Sequence, residues 1–120
     1  MKDLIRALAL FFLIVFVGVS STALAQSNTF MATNIVGAGT TTVKSGLGTL
    51  HSIVMNLPIA SGTITIYDNT SGSGTKIGTV TLPAVLLGQG PYTAMYDITF
   101  STGLTIVTTG ALQDITVSWR

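Results

Sequence analysis

Alternation of apolar and polar residues with a period of two is the feature that most constrains the fold of this chain. It is clearest in the runs TITIYD, DITF and DITVSW, where Ile, Phe, Val and Trp residues are spaced two apart. This period is that of a β-strand with one side on a core and the other towards solvent. No segment after residue 25 repeats its apolar residues at helical spacing. The sequence therefore predicts an all-β domain, with a core that includes Ile64, Ile66, Ile98, Phe100, Ile115 and Val117.

Short alternating runs recur along the chain and are separated by residues that favour turns. Ser45-Gly46, Ser61-Gly62 and Ser101-Thr102-Gly103 are three of these separators. Strands are predicted at residues 30–35, 40–45, 49–56, 62–68, 75–82, 93–100, 104–109 and 113–119. About seven or eight short strands at this spacing are typical of a single antiparallel β-sandwich. The pattern fits an immunoglobulin-like topology and a jelly roll equally well.

Residues 1–25 have the pattern of a secretory signal peptide, with a hydrophobic helix between a basic start and a cleavage site. Residues 23–25 form an Ala-x-Ala site, which predicts cleavage before Gln26. The apolar stretch 7–24 is also about long enough to span a bilayer, so an uncleaved membrane anchor is the alternative. We expect an exported protein, periplasmic or extracellular, whose residues 26–120 form the β-sandwich.

The chain that remains after such cleavage has no net charge. Lys2 and Arg6, of five basic residues, and Asp3, of four acidic residues, lie in the predicted signal peptide, which leaves three of each sign. Without a cluster of Lys or Arg, we expect no nucleic-acid partner. A neutral surface gives little electrostatic resistance to self-association. The chain has no Cys, so its stability must come from the core rather than from disulfides.

The stretch YDNTSGSGTKIG, residues 67–78, contains the residue types of several ligand-binding loops, but its spacing fits none of them. A P-loop needs Gly-Lys followed by Ser or Thr, whereas Thr75 comes between the glycine and Lys76. A G-x-G-x-x-G dinucleotide loop would need its third glycine one residue earlier. A calcium loop needs several carboxylates, and only Asp68 is acidic here. No cofactor and no metal ion is therefore expected.

The same stretch has the properties of a hairpin turn. Asn69 can hydrogen-bond to neighbouring backbone, and Gly72 and Gly74 tolerate positive φ. Together with the alternation on both sides, this predicts a β-hairpin over residues 62–82 whose turn is residues 69–74.

The other polar residues predict no catalytic site, and we do not expect an enzyme. His51 is the only histidine, and it lacks the Cys, His or Glu neighbours of a metal site. Ser52, His51 and Asp97 contain the groups of a catalytic triad, but no nucleophile elbow accompanies them. His51 is instead expected to be a packed or hydrogen-bonded strand residue. Asp68, Asp97 and Asp114 fall at predicted strand edges, where aspartate commonly caps a turn.

Two apolar features leave a binding role open. Trp119, Tyr92 and Tyr96 have the ring chemistry of a sugar-stacking platform, although Trp119 continues a core-facing alternation and is expected to pack there. The segment LPAVLL, residues 82–87, is more apolar than a loop needs to be. It fits a bridging strand, a buried crossover or an exposed contact patch equally well.

Several runs of this sequence resemble small bacteriophage-encoded proteins. They are LHSIVMN at residues 50–56, ASGTITIYDNTSGSGTKIG at 60–78, GLTIVTTGA at 103–111 and DITVSW at 114–119. The resemblance covers most of residues 32–119 and implies a virion-surface or accessory structural role, with no functional residues to carry over. Phage structural proteins normally lack a signal peptide, and Met31 would make a second plausible start.

These features predict a non-catalytic structural or surface protein that is phage-related. A secreted adhesion or glycan-binding module is the alternative, and a secreted hydrolase is a more distant one. Expected partners are copies of the chain or a larger protein assembly, at a virion surface if the protein is not exported. A membrane is expected as a partner only if residues 7–24 remain uncleaved.

Overall fold

The computed structural model describes residues 29–84, 90–110 and 113–120. Eight strands lie in these residues, and each predicted strand boundary is within one residue of the observed one. The strands are β1 (Met31–Val36), β2 (Gly39–Ser45), β3 (Gly48–Leu57), β4 (Thr63–Asp68), β5 (Thr75–Thr81), β6 (Tyr92–Phe100), β7 (Gly103–Thr108) and β8 (Asp114–Trp119). The all-β prediction is confirmed for this part of the chain. The predicted signal segment, residues 1–25, lies outside it.

The strands pair in nested order, the first with the last and so on inwards. All pairs are antiparallel: β1 with β8, β2 with β7, β3 with β6 and β4 with β5. The chain is thus one long hairpin whose tip joins β4 to β5. Two further pairings, β3 with β8 and β4 with β7, fold this hairpin into two four-stranded sheets. The first sheet has the order β1-β8-β3-β6 and the second β2-β7-β4-β5.

Side chains from both sheets form one buried cluster, which makes the fold β-sandwich-like. The first sheet contributes Ile35, Leu50, Ile53, Met55, Phe100, Ile115 and Val117, and the second contributes Ile64, Ile66, Leu104 and Ile106. Burial of each such side chain stabilises the fold by about 1.5–3 kcal/mol relative to its exposure. Five of the six predicted core residues belong to this cluster.

The prediction that Ile98 belongs to the core was wrong. Its side chain is 40% exposed, although Ile98 pairs directly with the fully buried Leu50. Residues that are directly opposite in an antiparallel pair lie on the same side of the sheet. Ile98 is therefore on the core side, but β6 is an edge strand, so no further strand covers it. Alternation correctly predicted the face and did not reveal the edge.

The predicted hairpin of residues 62–82 is confirmed as β4 and β5, joined through residues 69–74. Gly74 has a φ of 93°, a left-handed conformation that a residue with a Cβ adopts at a cost. A Cβ on Gly72 would lie only 2.8 Å from the Cγ2 atom of Val107. The Asn69 side chain accepts a hydrogen bond of 2.7 Å from the N–H of Thr70. Local turn chemistry thus accounts for this stretch without a ligand.

The apolar segment 82–87 is described only at its start. Leu82 is buried with the core, and Pro83 and Ala84 are exposed. The expectations for residues 85–87 lie outside the described residues. No helix that is long and apolar enough to cross a membrane occurs among residues 29–84, 90–110 and 113–120.

Candidate functional site

His51 and Asp97 are brought together by a β-bulge between β3 and β6. The pairing register shifts by one residue between Leu50 and Ser52, so that His51 lies opposite two residues of β6. Asp97, one of these two, has a φ of 49°. Its Oδ1 atom lies 2.5 Å from Nδ1 of His51, and the His51 and Asp97 side chains are 30% and 64% exposed. Asp97 was predicted to cap a turn, and that prediction was wrong because the bulge directs its carboxylate to His51.

A stack of flat groups covers His51 on the surface of the first sheet. The rings of Phe30 and His51 are stacked, with centroids 4.3 Å apart and planes 22° apart. The Arg120 guanidinium carbon lies 5.3 Å from the centre of the Phe30 ring, within the range of a cation–π contact. This stack ties the residue before β1 to β3 and to the residue after β8.

The His51–Asp97 pair does not form a catalytic triad in the described structure. Within the described part of the chain, no hydrogen bond joins the Ser52 hydroxyl to His51, and Ser52 is only 7% exposed. A histidine base needs a nucleophile within hydrogen-bond reach and a third group that orients the ring. Asp97 supplies the group that orients the ring, but Ser52 does not supply the nucleophile. The prediction that His51 is a hydrogen-bonded strand residue is confirmed.

The Asp68 carboxylate holds the turn between β6 and β7. Its Oδ2 atom accepts hydrogen bonds from Ser101 N–H at 2.9 Å and from the Ser101 hydroxyl at 3.0 Å. Its Oδ1 atom accepts from the N–H groups of Thr102 at 2.7 Å and Gly103 at 3.2 Å. The Ser101 and Thr102 backbone bonds are the largest causes that lower the pKa of Asp68 to about 2. The predicted turn cap is confirmed at Asp68.

Asp114 connects strands rather than capping a turn, so that prediction was wrong. Its Oδ1 atom accepts hydrogen bonds from the side-chain amides of Asn56, at 3.0 Å, and Asn34, at 2.7 Å. These two bonds, Asn56 first, lower the pKa of Asp114. Asn56 also donates to the Thr116 hydroxyl at 2.9 Å. The result is a row of polar groups across β1, β8 and β3.

None of these carboxylates contributes to a metal site in the part of the chain that the structure describes. No group of three or more His, Cys, Asp or Glu side chains with metal-binding geometry occurs there. The acidic groups are instead engaged with amides, hydroxyls and one imidazole.

The aromatic residues divide between the core and the surface. Trp119 and Tyr96 are partly buried against the core cluster, and the Trp119 indole N–H donates to the Thr33 hydroxyl at 2.9 Å. Burial, and then the nearby Tyr92, raise the pKa of Tyr96. Tyr92 is 52% exposed. A sugar-stacking platform of both tyrosines is therefore reduced to one accessible ring.

Among the strands that the structure describes, four lie at sheet edges, and three of these carry features that block pairing with a further strand. A charged side chain and a β-bulge both disfavour such pairing. β2 carries Lys44 and a register shift next to it, and β5 carries Lys76 beside a shift in its pairing with β4. β6 carries Asp97 at its bulge. The structure thus places one Lys on each edge of the second sheet.

The remaining edge strand, β1, has neither feature. Its six residues, MATNIV, carry no charge, and all six pair with β8 without a register shift. Phe30, Met31 and Val36 are 38%, 57% and 69% exposed. We name residues 30–36 the β1 edge, and we take it as the candidate functional site.

No protein-family model, no curated protein and no solved structure matches the chain. The resemblance to bacteriophage-encoded proteins stays a prediction from the sequence.

Proposed function

We propose that this protein is a non-catalytic structural protein of a surface assembly, in which copies of the chain associate through the β1 edge. The observation that carries the proposal is the uncharged, unshifted pairing of β1 beside exposed Phe30, Met31 and Val36. A regular edge strand offers a row of backbone N–H and C=O groups to a further strand. Exposed apolar side chains next to that row favour association, because pairing removes them from water.

The nested strand order supports a jelly-roll form of the β-sandwich over an immunoglobulin-like form. In an immunoglobulin domain the first strand does not pair with the last in this nested way, whereas here β1–β8 encloses β2–β7, β3–β6 and β4–β5. Jelly rolls occur in viral capsid domains and in lectin domains. The fold thus agrees with both expected functions, and the choice depends on the surface.

The charges favour a second copy of the chain as the partner that binds to the β1 edge. The residues after position 25 have no net charge, so two copies meet little repulsion. The phage resemblance supports a virion-surface or accessory role for the resulting assembly. Export remains the expected location on the basis of residues 1–25. N-terminal sequencing of the natural protein tests it: Gln26 as first residue supports export, and Ala32 supports a start at Met31.

The test is sedimentation velocity of the protein, expressed from its full coding sequence, over a concentration series. We expect a species larger than the monomer whose fraction of the protein increases with concentration. Val36→Lys adds a charge to the β1 edge and should shift the protein to monomer. Leu47→Lys is the matched control, since Leu47 is 73% exposed but lies in the β2–β3 turn. A wild-type protein that stays monomeric throughout would contradict the proposed function.

The second candidate function, a secreted glycan-binding module, is favoured by two observations. Tyr92 is half-exposed, and the polar row of Asn34, Asp114 and Asn56 offers amide and carboxylate groups to sugar hydroxyls. Saturable sugar binding by a monomeric protein, weakened by Tyr92→Ala, would support this function over assembly.

A further inference from the structure

We infer that two copies of the chain join into a dimer by antiparallel pairing of β1 with β1, with Thr33 opposite Thr33 of the second copy. This inference rests on the proposed function and specifies its contact. It follows from three properties of the β1 edge: its free side, the side of the sheet on which each side chain lies, and the positions of its apolar residues.

The free side of β1 is continuous along the whole strand. β1 is the last strand of the first sheet, and within the described residues its ladder runs to β8 alone. The six unshifted pairs keep the strand regular, so the N–H and C=O groups that point away from β8 are evenly spaced. A second strand can therefore add to it over its full length.

The facing of the side chains restricts the register of such a pair. Directly opposite residues of an antiparallel pair lie on the same side of the sheet. In β1, Ile35 is buried on the core side, and Val36 and Asn34 are exposed on the other side. A symmetric pair must therefore be centred on a residue and not between two residues, because only then do core-side residues meet core-side residues.

The apolar residues select one of these registers. When Thr33 is the centre, position 30 lies opposite Val36 and Met31 lies opposite Ile35, and symmetry gives each pair twice. When Asn34 is the centre, Val36 meets only Ala32, and Phe30 and Met31 lie beyond the pairing. The Phe30 ring is turned inwards onto His51 of β3, so the Thr33 register removes the other two exposed apolar side chains of this edge, Met31 and Val36, from water.

The charges beside the edge are compatible with this register. Asp114 is the partner of Val36 on β8, and Arg120 lies over the ring of Phe30. Because position 30 of one copy lies opposite Val36 of the other, each end of the pair has an acidic group on one copy and a basic group on the other. Opposite charges that are several strands apart contribute little to the free energy of association. The register nevertheless brings no like charges together at either end of the pair.

The dimer closes and does not extend into a fibre. Pairing joins the two first sheets into one eight-stranded sheet, and the strands that remain at its ends are the two copies of β6. Each carries Asp97 in the bulge held by His51, a feature that disfavours further pairing. The edges of the second sheets carry Lys44 and Lys76. The expected stoichiometry is therefore two.

Single cysteines test the register, because the chain has none of its own. In the Thr33 register the two copies of position 33 lie directly opposite, about 4.5–5.5 Å apart between Cα atoms, within disulfide reach. The two copies of position 34 are offset by two residues, which separates their Cα atoms by roughly 8 Å, beyond that reach. Position 34 of one copy instead lies opposite position 32 of the other.

We therefore expect Thr33→Cys, made in the full chain, to form a disulfide-linked dimer under mild oxidation, and Asn34→Cys alone to stay monomeric on a non-reducing gel. A mixture of Ala32→Cys and Asn34→Cys chains should give the mixed dimer. This mixture also covers the case in which Thr33→Cys fails to fold, since Thr33 accepts the Trp119 hydrogen bond.

Other outcomes overturn the inference in distinguishable ways. Faster self-linking of Asn34→Cys than of Thr33→Cys would indicate the other register. Concentration-dependent association without any cross-link at positions 32–34 would refute both the inference and the role of the β1 edge, and a structural assembly through another surface would stand. A wild-type protein that is monomeric in sedimentation would refute both the inference and the proposed function.

Discussion

Truncation of two neighbouring side chains of β6 tests how the sandwich buries its core. Phe100 is 1% exposed, and its ring lies so close to Gly48 that a Cβ there would come within 2.8 Å of its Cε2 atom. Removal of this ring should lower the free energy of unfolding by about 3–5 kcal/mol. Ile98 is 40% exposed on the same strand. Since a fully buried Ile contributes about 1.5–3 kcal/mol, Ile98→Ala should lower the free energy by only about 1–2 kcal/mol.

Both losses of unfolding free energy can be measured by urea denaturation at one fixed protein concentration. The fluorescence of Trp119, the only tryptophan, reports unfolding. A fixed concentration is needed because self-association adds to apparent stability. The slope of the transition should stay the same in both variants, so that the shift in midpoint reports stability. A loss below about 1 kcal/mol for Phe100→Ala, or a larger loss for Ile98→Ala than for Phe100→Ala, would refute this account of the core.

Three further substitutions probe single contacts. The pKa of Asp68 is lowered to about 2, first by the Ser101 N–H. The Asp68 carboxylate therefore stabilises the fold above its unfolded pKa of about 3.9, and this stabilisation is lost as pH falls through about 2. Melting temperatures measured from pH 5 to 2 should fall in the wild type and fall less in Asp68→Asn, and an equal fall in both proteins would contradict the prediction. Gln113 is fully buried, and neither polar atom of its side chain has a hydrogen-bond partner in the described structure. Gln113→Leu should therefore raise the free energy of unfolding by about 1–3 kcal/mol. A lower melting temperature for this variant would show that the amide is hydrogen-bonded in the protein. Gly74→Ala places a Cβ at a φ of 93° and should cost about 1–2 kcal/mol in calorimetry, whereas the control Gly39→Ala, where a Cβ meets nothing within 4 Å, should not show that loss.

Local patterns were sufficient to predict the strands and the β4–β5 hairpin. A period of two and a cluster of Gly, Asn and Ser act over a few residues, so their outcome does not depend on which strands become neighbours. For this reason residues 69–74 were correctly identified as a turn, and Ile64 and Ile66 as core.

Features that depend on strand order were not predictable from the sequence. Ile98 and Phe100 have the same alternation on the same edge strand, and what differs is the residue opposite each: Leu50 for Ile98, and for Phe100 the glycine Gly48, whose missing side chain leaves room for the ring. The contact of His51 with Asp97 requires a bulge between strands that are 46 residues apart at this point. No local signal marks where such a bulge will fall.

The β1 edge was missed for the same reason. The run MATNIV is uncharged, but so are the runs of β3 and β7, which lie inside their sheets. An uncharged strand becomes a candidate for association only when the nested pairing leaves one of its sides open. The exposed positions of Phe30, Met31 and Val36 follow from that order and not from their own chemistry.

Amide hydrogen exchange at low and high protein concentration tests the proposed assembly most directly, because it reports which backbone groups become hydrogen-bonded when copies meet. We predict that the N–H groups of Met31–Val36 that point away from β8 exchange more slowly at high concentration, and that the amides of β2, β5 and β6 do not change. Slowed exchange confined to β6 or to the second sheet, or no change anywhere across the concentration range, would contradict association through the β1 edge.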